Sequence, residues 1–309
     1  MKKTSTVIFL LFIISPFVLS DNFVIKNKKE FNRIFSTDAG LITIAEGFQF
    51  TEGPVWVNEK GGYLIFSDVR ANELKKYSKK DGIVTFRKPS HNANGNFLDP
   101  QGRLYTCEHS ARRVTIRDQK GGIRVLVDHY RKKRFNSPND IVVRSDGTVW
   151  FTDPTYGLED KSQKELEGNY VFYFDPETKE IKIAAKDFDM PNGLCFSPDE
   201  TKLYIADSGK PHHIRVFDVH AEGALKNGRV FCESDGNGPD GIRVDNDGRL
   251  YITAGDGIHI FTPEGSLIGK ILTPVQPTNL CFGGSEKNIL FITARSKLYC
   301  INLKVKGKY

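Results

Sequence analysis

Four side chains with ligand-type oxygens stand at matched places along this chain, each at the head of a short apolar strand: Glu52, Asn139, Asn192 and Asp240. Their segments are Glu52-Gly53-Pro54-Val55-Trp56, Asn139-Asp140-Ile141-Val142-Val143, Asn192-Gly193-Leu194-Cys195-Phe196 and Asp240-Gly241-Ile242-Arg243-Val244. Two further copies open on Asn94-Gly95-Asn96-Phe97-Leu98 and Thr278-Asn279-Leu280-Cys281-Phe282. Oxygen donors delivered to equivalent points of a ring can hold a cation on its axis. All-oxygen ligation favours Ca²⁺, with Mg²⁺ or Mn²⁺ where the geometry tightens. No His or Cys occupies any of the six marks, so Zn²⁺ is the least suited alternative. Asn or Asp before Gly is also ordinary turn chemistry, and any one of these residues alone would be read that way. Four in register, one of them a Glu with no turn preference, favour the cation.

The elements that must position these residues follow from alternation and from β-branched and aromatic enrichment between turn residues. In the clearest copy, Ile141-Val142-Val143 leads to the turn Ser145-Asp146-Gly147 and then to Thr148-Val149-Trp150-Phe151-Thr152. Tyr170 to Phe174 and Ile181 to Ala185 supply two further strands before the next copy. Successive marks lie 42, 45, 53, 48 and 38 residues apart. Strand-rich repeats of that size are propeller blades, with insertions placed in loops. The expected fold is all-β, a six-bladed β-propeller over 41–304. Leu41 to Ala45 should supply the outer strand that the last blade lacks, because an open sheet edge invites association. Residues 21–40 are expected as an N-terminal arm, less ordered over 21–35, and 305–309 as a C-terminal tail.

Lys2 and Lys3 precede an apolar run from Val7 to Leu19 that contains Pro16 and is too short to span a bilayer. Residues 1–20 are therefore expected to be a secretory signal peptide, with an uncleaved anchor as the competing reading, and the mature protein to be periplasmic or secreted, with no membrane span after cleavage. Its removal takes two lysines and no acid, so the net charge falls from +6 to +4. That mild excess requires no anionic polymer, and nucleic acid is not an expected partner. The densest basic run, Arg131-Lys132-Lys133-Arg134, is expected as a solvated loop. Five cysteines in or beside apolar strands, none with metal-ligand spacing, are expected to be mostly buried thiols.

Several segments closely resemble the gluconolactonase/regucalcin-like family, nearest its bacterial gluconolactonase branch. They are Thr51 to Trp56, Cys107-Glu108-His109-Ser110-Ala111-Arg112-Arg113, Ser137-Pro138-Asn139-Asp140, Trp150 to Gly157, Pro191-Asn192-Gly193-Leu194 and Pro239-Asp240-Gly241. The resemblance runs from about Leu41 to Lys304. It implies a divalent metal, usually Ca²⁺, at the channel mouth and hydrolysis of a sugar lactone. Glu52, Asn139, Asn192 and Asp240 stand where the family's metal ligands stand, and Asp240 also matches its acid/base or nucleophile.

Those residue types suit that chemistry. A cation stabilises charge developing on a lactone carbonyl, and a carboxylate beside it can deprotonate water or attack directly. Water attack assisted by Asp240 is the favoured form. Asn94, Glu108, His109, Asp153 and Tyr156 are the candidate substrate contacts. Plainer readings stand beside them: Asn94 as a turn residue before Gly95, His109 as a buried structural imidazole, and Asp153 as a turn cap before Pro154. Two other functions use the same scaffold. One is a non-catalytic, Ca²⁺-stabilised ligand-binding propeller; the other is a phosphotriesterase-like hydrolase.

Overall fold

The computed structural model describes residues 22–59, 61–234, 236 and 238–308. The expected signal peptide lies outside them. Within them the strands run antiparallel in up-and-down order, and the sheets stand around a central channel as an all-β propeller.

Three sheets have four strands each: Ala93–Leu98 through Ile123–Val127, Ile141–Val143 through Ile181–Phe188, and Pro191–Phe196 through Leu225–Glu233. A fourth is built from Ile242–Val244, Leu250–Thr253, Gly257–Phe261 and Leu267–Leu272, and gains Phe23–Ile25 on its edge. Beside a two-stranded hairpin, the largest sheet has six strands, in the order Asn279–Gly283, Ile289–Asn302, Ile42–Val57, Tyr63–Asp68, Glu73–Ser78 and Gly82–Arg87. Its two long strands each serve two neighbours. Ile42 pairs with Cys300 and Glu46 with Lys297, whereas Glu52 pairs with Ser67 and Val57 with Tyr63.

Side chains alternate across each strand, so the apolar positions fill the spaces between sheets. Trp150, Phe151, Phe172 and Phe196 are fully buried there, with Trp150 edge-on to Phe196 at 5.6 Å. All five cysteines are free thiols, and all but Cys300 are buried. Arg131 and Lys132 form a two-residue hairpin turn with positive φ between His129–Tyr130 and Lys133–Arg134.

Residues 22–35 depart from the loose arm expected over 21–35. Phe23–Ile25 pairs with Gly269–Ile271, and a helix follows at Lys28–Ile34, capped by the Asn27 side chain accepting from the Glu30 N–H. The helix buries Phe31 and Ile34 against the sheet that holds Ile258 and Ile268. Each such burial stabilises the fold by roughly 1.5–3 kcal/mol, enough to order a seven-residue helix that would not form alone. A short helix with two inward apolar residues carries too little periodicity to stand out in sequence. The far end is tied down as well: Gly307 N–H donates to Lys287 O (2.8 Å) and Lys308 N–H to Val244 O (3.2 Å).

The marks themselves are stitched into a ring. Gly95 N–H donates to Asn139 O (2.8 Å), Gly193 N–H to Asp240 O (3.2 Å) and Gly241 N–H to Thr278 O (2.8 Å). Thr278 Oγ1 then donates to Thr51 O (2.6 Å), beside the first mark. A Cβ on Gly95 would lie 2.5 Å from Asn139 O, and one on Gly193 2.3 Å from Asp240 O. Glycine follows these marks because the next blade's backbone passes through the space a side chain would need. Tight-turn conformation is not the reason at either position.

Candidate active site

The heads of the inner strands open into one cavity of about 530 Å³. Glu52, Asn139, Asn192 and Asp240 all line it, as do Asn94, His109 and Tyr156. Glu52, Asn139 and Asn192 are 3–6 % exposed, so their polar atoms meet the cavity and little else. Thr278, the sixth mark, spends its hydroxyl on Thr51 O and on Thr293, and stays out of the lining.

Glu52 is held by its own neighbourhood. Its Oε2 accepts from the Gly53 N–H (2.9 Å) and from the Asn279 amide (3.0 Å), which leaves Oε1 free of those bonds. Asn279 follows Thr278 as Gly follows most other marks, and its side chain reaches across the ring closure to do this. Burial pushes the Glu52 carboxyl above its ordinary range, against those two donors. Burial also raises Asp240, and the Glu52 and Asp140 charges raise it further. The buried cation below, Arg243, is already paired with Asp140 at 3.2 Å. Two raised carboxylates thus face one cavity, against the weaker opposing pull of Arg243 on Glu52 and of Asn192 and Arg295 on Asp240.

The amides complete the donor set. The Asn192 Nδ2 donates to Ser208 Oγ (2.9 Å), and Asn192 also bonds the Asp240 carboxylate. The Asn94 Oδ1 is buried with no partner among the described residues. Two carboxylates and several amide oxygens facing one cavity are a donor set that suits a hard divalent ion. Among the described residues there is no cluster of three or more His, Cys, Asp or Glu, so a thiolate- or imidazole-rich centre has no counterpart there.

His109 sits in the lining with its ring against Gly157, where an added Cβ would come within 2.5 Å. Burial pushes its pKa down to about 4, and its Nε2 has no partner, so the imidazole is neutral near neutral pH. Tyr156 leaves 46 % of its surface exposed while its hydroxyl turns inward to bond Ser208. Burial of that hydroxyl raises its pKa to about 12, so it stays a donor.

Glu108 and Asp153 do not reach the cavity, contrary to the sequence expectation. Both close the second strand of their blades, and in such strands neighbouring residues face opposite ways. Glu108 pairs with Arg87 and with Arg113 (2.6 Å), and accepts from Thr115 Oγ1 (3.1 Å). Asp153 accepts the Asn136 N–H (2.8 Å) under the loop that leads to Asn139. Asp68 and Asp207 hold the matching position in their blades and do the same work. Asp68 Oδ1 accepts from Phe50 N–H (3.0 Å), and Asp207 accepts from Asp189 and Met190 N–H (both 2.9 Å).

The residue after three of the four strand-closing carboxylates lines the channel, namely Val69, His109 and Ser208; Pro154, after Asp153, does not. Ser208 was missed in the sequence. It donates to Pro239 O and ties Asn192 to Tyr156. Aligning Asp68, Glu108, Asp153 and Asp207 and stepping one residue forward would have found it. Arg70, Asn92, Glu159 and Gln276 also line the cavity from loops, where no repeat signal marks them, and Phe50 lines it from the strand Ile42–Val57.

Known proteins are similar to this chain in sequence and fold. The SMP-30/Gluconolactonase/LRE-like region family matches residues 50–296. A gluconolactonase of Zymomonas mobilis is 34% identical over 311 residues, covering 92% of this chain and 87% of that protein. A solved gluconolactonase from Xanthomonas campestris is 34% identical, with a TM-score of 0.83 over 94% of this chain and 97% of its own. A calcium-binding regucalcin from Agrobacterium tumefaciens, 19% identical, has the same fold with a TM-score of 0.74 over 87% of this chain and 95% of its own. With its strand-head marks, its propeller and a match across most of its length, the chain belongs to the SMP-30/gluconolactonase/LRE-like family.

Proposed function

We propose that this protein is a divalent-cation-dependent lactonase that opens a sugar lactone, an aldonolactone such as a gluconolactone. The observation that carries the proposal is the convergence of Glu52, Asn139, Asn192 and Asp240 on one cavity of sugar size, two of them buried carboxylates. The gluconolactonases of matching length support the substrate class. The amide-rich wall, with Asn92 and Asn94 beside the marks, suits a polyhydroxylated ring better than an apolar phosphotriester.

Glu52, Asn139, Asn192 and Asp240 would hold the cation, Ca²⁺ being the best match to oxygen donors. When bound, it supplies Lewis-acid stabilisation of the charge that develops on the lactone carbonyl oxygen. Asp240 takes the proton of the attacking water as the new C–O bond forms. It returns that proton to the ring oxygen as the ester C–O bond breaks, and the hydroxy acid leaves. Neutral His109 and the Tyr156 hydroxyl orient substrate hydroxyls. Ser208 keeps Asn192 and Tyr156 in place.

Two structural readings go with this. The six-stranded sheet is taken as two blades sharing long strands, with Ile42–Glu46 as the outer strand of the last, so the ring has six blades. Residues 1–20 are taken as a cleaved export signal, on Lys2, Lys3 and the apolar run behind them. The test of function is acid release from glucono-lactone in a pH-indicator assay, with elemental analysis of the same sample. Turnover that survives exhaustive chelation, or survives Asp240→Asn, would refute the mechanism. A cation-dependent thermal shift with no turnover on any lactone would favour the binding-only alternative.

A further inference from the structure

The inner strands run from one mouth of the channel to the other, and their far ends enclose a second cavity of about 490 Å³. Its walls are Trp56, Leu98 and Phe282, and its charged residues are predominantly cations. Arg243, only 5 % exposed, reaches it from the channel axis. Arg243 uses one nitrogen, Nη1, for Asp140 and for Ile242 O (2.7 Å). Lys287 and Lys308 stand at the rim, brought together by the Gly307 and Lys308 backbone bonds.

The balance of charge at this end is uneven. The two acids in the lining are already engaged: Asp99 with Arg103 (2.5 Å), and Glu200 with the Ser145 N–H (3.1 Å) and 3.7 Å from Arg144 Nε. Neither Lys287 nor Lys308 has an ion-pair partner among the described residues, and both line this same mouth, Lys287 as an exposed side chain. One donor of the lining, Trp56 Nε1, is buried without a hydrogen-bond acceptor among the described residues. Cations that repel each other beside an apolar wall are relieved by a ligand that brings one negative charge and an apolar body.

We propose that this opposite mouth binds a small organic anion, an apolar carboxylic acid whose head meets Lys287 and Lys308 and whose body lies on Trp56 and Phe282. The site is separate from the lactone cavity and stands whether or not the lactonase reading holds.

The probe is hexanoate, compared with hexanol and inorganic phosphate. Binding is measured by calorimetry and by the emission of Trp56, since the other tryptophan, Trp150, is fully buried in the core. Hexanoate is expected to bind at least tenfold more tightly than either comparison ligand. The Lys287→Gln, Lys308→Gln double variant should weaken it tenfold or more while lactone turnover stays at the parental rate, which also shows that the variant is folded. Asp240→Asn should leave hexanoate affinity unchanged. The proposal is overturned by no hexanoate binding, by equal affinity for hexanol or phosphate, by undiminished binding to the double variant, or by its loss in Asp240→Asn.

Discussion

Gly95→Ala tests whether the glycine after a mark exists for contact between blades. The new methyl would sit 2.5 Å from Asn139 O and 2.7 Å from Asp140 Cα, both backbone atoms that no rotamer change can move. Overpacking of this kind costs about 1–3 kcal/mol. The Gly95 N–H to Asn139 O bond is strained with it, at about 1 kcal/mol. The lower backbone entropy of unfolded Ala returns about 0.4–1 kcal/mol. The net expectation is a loss of about 2 kcal/mol in urea unfolding measured without added cation. Asn139 moves with its carbonyl, so Ca²⁺ affinity should fall roughly tenfold, the usual scale for disturbing a ligand's support. Gly40→Ala is the control: nothing lies within 4 Å of its built Cβ, and its stability should stay within about 0.5 kcal/mol of the parent. If Gly95→Ala is as stable as Gly40→Ala, the stitched ring is not what places the marks.

Other perturbations separate support from chemistry. Glu108→Gln leaves Arg87 and Arg113 without their shared carboxylate, so unfolding free energy should drop by roughly 2–4 kcal/mol, with folded enzyme retaining its turnover; a large loss of kcat at full occupancy of the fold would put Glu108 back in the site. Asp153 has its pKa raised to about 8, by burial first and against the Asn136 and Ser137 N–H bonds. A raised carboxyl stabilises the fold below its unfolded pKa of about 4, and that contribution is lost as pH rises through about 8. The stability of the parent relative to Asp153→Asn should therefore decline from pH 5 to pH 8.5, and a pH-independent difference counts against the buried acid. Ser208→Ala frees Asn192 and Tyr156 together, so KM for the lactone should rise several-fold along with a weaker cation affinity; unchanged values of both would remove Ser208 from the site.

The four cation candidates were legible in the sequence because repetition carries them. Glu52, Asn139, Asn192 and Asp240 open the same strand in different blades, so a period read along one dimension becomes a ring in three. The same periodicity made the all-β propeller readable, through turn residues and alternating strands. The side of a strand end was harder to assign. Glu108 and His109 are adjacent in sequence, yet only His109 lines the cavity: the strand ends at Glu108, which faces Arg87 and Arg113, and the chain turns at His109.

What tertiary structure alone decided depends on contacts between residues far apart in the chain. Asn279 reaches Glu52 across 227 positions, and Arg243 reaches Asp140 across 103. The glycines after the marks looked like turn residues until the neighbouring blade's carbonyls appeared against them. The helix at Lys28–Ile34 has too few residues to declare itself, and forms because the fifth strand beside Gly269–Ile271 gives Phe31 and Ile34 an apolar surface to cover. Local spacing can specify which residues share an element. Their partners across the ring, and the charges left without any, are set when the sheets close on one another.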